Sequence, residues 1–309
     1  MNSTGWRVEM RMPEQNIDRV VNRVEELRLE ALSRVRLGDY EDALAIYDAA
    51  LALATDETAR ELITINKADA MIALERSGAE VNELPRVIMR RRSPRHVYLA
   101  AYALQYKYRL ENDLKRVMFY GQLALRTAEE ANEPAWRRIV LLELGNIYEL
   151  DSQIQTAIEC FEESLAIGEE SRHNRDKDLS HAYAVENLGY CKLLQGKIEE
   201  GLAYLHEALE MLADPIGRAE ALVDLCFGYL EHGDYARARS YGESALEIAK
   251  DTRQVRNAHY LLGEACFKAG DADAASFHFD ELARFYPQFR NLKNLLFAID
   301  LRSMVNLKL

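Results

Sequence analysis

The sequence predicts an all-α protein: a superhelical solenoid of about seven helix pairs, closed by one further helix. Apolar residues recur at intervals of three and four along most of the 309 residues, which is helical spacing. With only 15 Gly and 6 Pro, the composition leaves little room for turn-rich β architecture. The residues at which one helix ends and its partner begins recur every 34 to 44 residues, and such a period is typical of helical repeat arrays.

The repeated unit is clearest at residues 187–209. Two amphipathic segments flank Gln195 and Gly196, and Gly196 can adopt the positive φ that ends a helix. Small residues stand where two antiparallel helices would approach closely: Gly189, Gly201 and Ala208. The unit is therefore one antiparallel helix pair.

In chain order, residues 1–12 alternate apolar and polar side chains, and we expect residues 1–16 to be a tail or a segment docked on the first helices. The repeat array follows over residues 17–287. Its predicted breaks between paired helices are Gly38, Gly78, Asn112, Ser152, Gly196, Gly233 and Gly270. Prolines support this phasing, because five fall where a new first helix should begin: Pro13, Pro94, Pro134, Pro215 and Pro287. Residues 288–309 form an amphipathic capping helix, since a solenoid needs its last interface covered.

Counting each break as position 15 of its repeat exposes a recurring pattern. Leu-Gly occupies positions 7 and 8 at Leu144-Gly145, Leu188-Gly189 and Leu262-Gly263. Position 11 is Tyr108, Tyr148 and Tyr229, position 20 is Ala43, Ala157, Ala238 and Ala275, and position 24 is Tyr47, Phe161 and Phe279. This pattern resembles the tetratricopeptide repeat over nearly the whole chain. The longer spacings are similar to the long-helix variety of kinesin light chains and Rap-type peptide receptors, and the resemblance implies a right-handed superhelix.

Two repeats depart from the pattern. The second has Met71, Glu83 and Arg90 at positions 8, 20 and 27, so either its packing differs or its boundaries are misplaced. The third has Gln105 at position 8 and Gly121 at position 24.

The overall charge and the cysteines restrict the classes of partner. A net charge of −12 disfavours nucleic acid and anionic lipid surfaces. The four cysteines have no Cys-x-x-Cys spacing, and each lies in an apolar helical pattern, as buried residues of a reducing compartment do. Since the sequence shows neither a signal peptide nor a run long enough to span a membrane, we expect a soluble, cytoplasmic protein.

Motifs of catalysis are missing from the sequence. It contains no glycine-rich phosphate loop, no nucleophile elbow and no His-Glu-x-x-His helix, so we expect no enzymatic activity and no cofactor. The cluster most similar to a metal site is residues 173–181, which includes His173 and His181. We interpret it as a solvated loop in which Asp178 or Ser180 caps the next helix.

The tetratricopeptide resemblance implies that the first helices line a concave face. The positions that point into it carry Tyr102, Tyr106, Arg109, Asn146, Tyr183, Asn187, Tyr190, Asp224, Phe227, Asn257 and Tyr260. Aromatic rings and carboxamides suit an extended peptide or a partner helix, because each amide can pair with main-chain N–H and C=O groups. The alternative is that the tyrosines serve packing, with Tyr98, Tyr102 and Tyr106 forming a stripe against the fourth repeat.

A basic island at Arg86 to Arg116 interrupts the acidic chain. One interpretation is a site for an acidic peptide, a phosphate or an RNA end. The other is that Arg90, Arg91 and Arg92 lie at a helix C-terminus and favour its dipole. Opposite charges at different points of the array would also allow self-association.

Together these features predict a non-enzymatic scaffold that holds a peptide or helix of another protein in its concave groove. The alternative is a regulatory protein with the logic of Rap receptors, in which a bound peptide changes the shape of the superhelix. RNA binding is a third hypothesis, which the acidic charge disfavours.

Overall fold

A computed structural model describes residues 14–170, 179–287 and 291–298. The predicted segment at residues 1–12, most of the histidine-containing loop at 173–181 and most of the capping helix at 288–309 lie outside this part. The described residues form fifteen helices and no strand, which confirms the predicted all-α array of helix pairs. The chain divides into two compact units, residues 1–133 and 134–309.

The first unit contains three helix pairs. They are α1 (Glu14–Leu37) with α2 (Tyr40–Leu53), α3 (Glu57–Ala73) with α4 (Ala79–Arg90), and α5 (Pro94–Leu110) with α6 (Leu114–Glu130). Each helix packs against its partner, and α2 also contacts α3 while α4 contacts α5. The first helices are neighbours as well, because α3 contacts both α1 and α5.

The second unit contains four helix pairs and one short helix. They are α7 (Pro134–Leu150) with α8 (Ile154–Glu170), α9 (Leu179–Leu194) with α10 (Ile198–Met211), α11 (Pro215–His232) with α12 (Tyr235–Ile248), and α13 (Thr252–Lys268) with α14 (Ala272–Arg284). The short helix α15 (Leu292–Ala298) packs on α14. Here too the first helices are neighbours, since α9 contacts α7 and α11, and α11 contacts α13.

Three of the predicted prolines lie at helix starts. Pro94, Pro134 and Pro215 each open a helix, where the missing N–H of proline has no partner to lose. Asp214 caps α11 by accepting a bond of 2.7 Å from the N–H of Gly217. Pro13 lies outside the described residues; Pro287 lies in a turn, and the next described helix, α15, begins at Leu292.

Six of the seven predicted breaks are confirmed by backbone conformation. Positive φ angles occur at Gly38, Asn112, Ser152, Gly196, Gly233 and Gly270. The second break was wrong: Glu75 takes the left-handed conformation with φ 54°, and Gly78 is the extended N-cap residue of α4. The N–H groups of Glu75 and Arg76 bond to the carbonyls of Ile72 and Met71 and close α3 three residues early.

Moving the second break to Glu75 makes the repeat regular. Glu75 lies 37 residues from both Gly38 and Asn112. Positions 8, 24 and 27 of this repeat become Ala68, Leu84 and Val87, which are all fully buried. Position 20 becomes Glu80, which pairs with Lys67 in place of the usual alanine. The departures at positions 8 and 27 therefore came from a misplaced boundary, as one of the two alternatives proposed.

Positions 8 and 24 meet where the two helices of a pair cross. In the fourth and seventh pairs, a Cβ added to Gly145 or Gly263 would overlap the ring of Phe161 or Phe279. Glycine at position 8 therefore lets the large ring lie directly on the backbone of the first helix.

The third and sixth pairs reverse this arrangement. Position 8 is Gln105 or Cys226, and the glycine stands at position 24, as Gly121 or Gly242. A Cβ added to Gly242 would lie 3.1 Å from the Cys226 Sγ, so the small residue is still needed, but on the second helix. Gln105 is buried, and neither of its side-chain polar atoms has a hydrogen-bond partner within the described part of the chain.

The same two pairs share a ring stack beside their glycine. Tyr108 stacks on Tyr120 with ring centroids 5.5 Å apart, and Arg116 lies 4.9 Å from the Tyr108 ring. In the sixth pair, Tyr229 and Tyr241 stack at 5.2 Å, with the Arg237 guanidinium 4.5 Å from Tyr229. Asp113 and Asp234 cap the second helices of their pairs. The third and sixth repeats therefore use one design.

Candidate partner-binding faces

In the second unit, the structure brings two predicted carboxamides together on neighbouring first helices. Asn187 of α9 donates its Nδ2–H to the Oδ1 of Asn146 on α7, over 2.9 Å. Asn146 is half-buried and Asn187 is 8% exposed. The bond uses one acceptor and one donor, so the Nδ2–H groups of Asn146 and the Oδ1 of Asn187 remain for another partner. We call these two residues the carboxamide pair.

Tyr183 connects the fifth and sixth repeats. Its hydroxyl donates to the Asp214 Oδ2 over 3.1 Å, on the same side chain that caps α11. Burial and the Asp214 charge raise the pKa of Tyr183. A Cβ on Gly217 would come within 3.0 Å of the Tyr183 hydroxyl, so glycine there leaves room for the contact.

Three of the other predicted aromatic residues are buried within the second unit. Tyr190 is fully buried, and its ring centroid lies 6.0 Å from that of Phe227, which is also buried. Tyr260 is buried, and Asn257 is half-buried. In this structure these rings contribute mainly to packing between α9, α11 and α13.

A buried polar network on α11 and α13 was not predicted from the sequence. Arg253 donates two bonds of 2.8 Å to the carboxylate of Glu220. Gln254 donates to the same carboxylate over 2.9 Å and to the Ile216 carbonyl over 2.9 Å. Because a bidentate pair fixes both distance and direction, this network sets the register of two neighbouring first helices.

In the first unit, the predicted residues lie on α5. Tyr102 stacks on the buried Tyr98 with ring centroids 6.1 Å apart. The Arg109 guanidinium lies 5.2 Å from the Tyr106 ring, and Arg109 is exposed. Tyr106 is half-buried and packs on a core that includes Ile65 of α3.

The corrected boundary adds two polar residues to this face of the first unit. Counting from Glu75, Asn66 and Asp69 of α3 occupy positions 6 and 9, two of the positions that supplied the other candidates. Arg28 of α1 donates to the Asn66 Oδ1 over 3.3 Å. Burial raises the pKa of Asp69 to about 6. The sequence contained the signal for both residues, but the three-residue error in phase concealed it.

The structure favours the second interpretation of the basic island. Many of its cations form ion pairs within the unit: Arg86 and Arg90 with Glu83, Arg91 with Glu130, Arg92 with Glu57, Lys107 with Glu111, and Arg116 with Asp113. Arg90 also bonds to the buried Glu61 over 3.2 Å, and Arg91 is the C-cap residue of α4. These pairs leave less positive charge for an added anion.

Neither a cluster able to hold a metal nor a membrane-spanning helix occurs in the part of the chain that the structure describes. No group of three or more His, Cys, Asp or Glu side chains able to hold a metal occurs in residues 14–170, 179–287 and 291–298. The four cysteines are free and buried, as the sequence predicted. None of the helices in the described ranges has the length and apolar character needed to cross a membrane.

Two segments of the chain match known family models. Sequence models of the tetratricopeptide repeat match residues 29–61 and 229–297. The chain carries tetratricopeptide repeats. A segment of 117 residues, 37% of this chain, is 28% identical to 68% of the photosystem I assembly protein Ycf3 of Synechococcus elongatus.

Solved structures support the same fold. The tetratricopeptide repeat chain aligns with the apo form of RapI at a TM-score of 0.67 and 12% identity, covering 88% of this chain and 79% of RapI. A Rap protein complexed with competence and sporulation factor gives 0.63 and 16% identity, covering 90% and 78%. A signal transduction ATPase with a tetratricopeptide repeat sensor, from Pyrococcus horikoshii, gives 0.70 and 15% identity and covers 90% of this chain but 45% of that one.

Proposed function

We propose that this tetratricopeptide repeat protein is a non-enzymatic scaffold that holds an extended segment of a partner protein on the face formed by α7 and α9. The observation that supports the proposal is the carboxamide pair, Asn146 and Asn187, joined at 2.9 Å. Asparagine is a poor residue for the middle of a helix, because its side chain competes with the backbone for hydrogen bonds. Two such residues in contact on adjacent helices suit recognition of a peptide main chain.

The pair offers complementary groups to a main chain. The Nδ2–H groups of Asn146 can donate to a peptide carbonyl, and the Oδ1 of Asn187 can accept from a peptide N–H. Each such bond contributes about 1 kcal/mol net, so losing both groups weakens binding by roughly tenfold or more. The similar protein Ycf3 is named for the assembly of photosystem I, so its name supports a role that involves other proteins.

The test compares partner capture by three forms of the full chain. The first is unchanged, the second carries Asn146→Ala with Asn187→Ala, and the third carries Asn82→Ala on the exposed surface of α4 as a control. We expect the double variant to lose a partner that the other two capture from native extract, and crosslinks of that partner to map to α7 and α9. Equal capture by all three forms would refute the assignment.

The second candidate function is a regulatory protein that senses a peptide. The observation that favours it is the similarity to a Rap protein whose structure was solved with competence and sporulation factor bound. Under this function, a bound peptide slows hydrogen exchange in helices distant from α7 and α9 as well as in those two. Protection confined to the contact helices would favour the scaffold.

A further inference from the structure

Asp69 has no counterion among the residues that the structure describes. It lies on α3, is half-buried, and makes no hydrogen bond or ion pair within that part of the chain. Arg28 of the neighbouring α1 donates two hydrogen bonds, of 2.5 and 2.7 Å, to the carboxylate of Glu25. Its third hydrogen bond goes to Asn66. A carboxylate partly removed from water and left without a cation destabilises the fold, which makes it a candidate for ligand recognition.

The surroundings of Asp69 are suited to an extended segment with a positive side chain. Asn66 lies one turn before Asp69 on the same face of α3, and its Nδ2–H groups are not used in the bond to Arg28. On the neighbouring α5, Tyr106 packs against the core cluster that includes Ile65 of α3. An aromatic ring and a carboxylate on neighbouring first helices together offer apolar contact, cation–π attraction and opposite charge to a long cationic side chain.

We propose that Asp69 binds a lysine or arginine side chain of an extended partner segment, while Asn66 donates to a main-chain carbonyl of that segment. This site lies in the first unit and is independent of the carboxamide pair in the second. It differs in chemistry too, because the carboxamide pair recognises main chain and Asp69 selects for positive charge.

The experiment selects random dodecapeptides displayed on phage against the full chain. We expect the selected peptides to be enriched in Lys or Arg. A synthetic copy of one of them should bind Asp69→Asn about tenfold or more weakly than it binds the unchanged protein. The matched control is Asp42→Asn, which removes the same charge from an exposed residue of α2.

The other outcomes overturn the proposal. Selected peptides without cationic enrichment, binding unchanged by Asp69→Asn, or a selection that yields no peptide would each do so. Testing the same peptide on the Asn146→Ala, Asn187→Ala variant separates the two sites. If only the Asn146→Ala, Asn187→Ala variant loses peptide binding, the result supports the scaffold face and overturns the role of Asp69. If neither variant loses binding, the result overturns both sites for that peptide.

Discussion

Replacing Asp69 by asparagine should stabilise the protein at neutral pH. Burial raises the pKa of Asp69 from its ordinary 3.8 to about 6, so the ionised form is disfavoured in the folded chain. A shift of that size corresponds to about 3 kcal/mol at most. Because the side chain is only half-buried, solvent screening reduces the expected gain to about 1–2 kcal/mol. Asn keeps the shape of the side chain and removes the charge.

The size of the destabilisation by Asp69 depends on pH. The folded state holds the Asp69 proton more tightly than the unfolded state, so the destabilisation is fully present above pH 6. It diminishes as the pH falls toward 3.8, because the carboxyl group then becomes protonated in both states. The advantage of Asp69→Asn should therefore fall to about half to two thirds of its neutral value near pH 4.5.

Thermal unfolding followed by circular dichroism measures this difference. At pH 7 we expect the Tm of Asp69→Asn to exceed that of the unchanged protein by roughly 2–8 °C. The control variant Asp42→Asn should show little change, because its carboxylate is exposed. A variant that is less stable, or an advantage that is equal at pH 7 and pH 4.5, would refute the reasoning.

Three further predictions concern packing and titration. Gly263→Ala should lower the unfolding free energy, measured by denaturant titration, by about 1–3 kcal/mol, because the new methyl group overlaps the Phe279 ring. Adding Phe279→Leu should restore part of that free energy. Gln105→Met should raise the unfolding free energy by about 1–2 kcal/mol, since it removes a buried carboxamide whose polar atoms lack partners in the described part of the chain. Equal denaturation midpoints for the variant and the unchanged protein would contradict this. Burial and His259 lower the pKa of His278 to about 4, so the native protein should lose about 1–2 kcal/mol between pH 7 and pH 5 as the unfolded imidazole gains a proton. His278→Asn should lose less over that range, and parallel Tm curves would exclude the effect.

The helix pairs could be predicted because their signals are local. Gly38, Gly196, Gly233 and Gly270 end helices through a conformation that glycine adopts without strain, and the period then located Ser152 although it is not glycine. The break at Glu75 was not predicted because the prediction relied on local signals such as glycine. A nearby glycine, Gly78, suggested the break, whereas the backbone turned three residues earlier at a residue that seldom adopts positive φ.

Position within the repeat predicted part of the candidate faces: it located the polar residues that meet, but not which rings stay accessible. Asn146 and Asn187 were identified from their positions, and they do meet. Tyr190 and Phe227 follow the same positional rule but are buried, because the distance between neighbouring first helices decides whether a ring stays accessible. That distance depends on residues such as Glu220, which forms an ion pair with Arg253, 33 residues away on the next first helix.

The resemblance between the third and sixth repeats bears on how the chain arose. Five residues of one, Tyr108, Asp113, Arg116, Tyr120 and Gly121, recur in the other at an offset of 121 residues. Position 24 follows the same period of three: aromatic in repeats one, four and seven, leucine in two and five, glycine in three and six. The two patterns together predict that a segment encoding three helix pairs was copied as a block, so that each crossing matches its counterpart three repeats away. Ancestral reconstruction should accordingly align the repeats by threes.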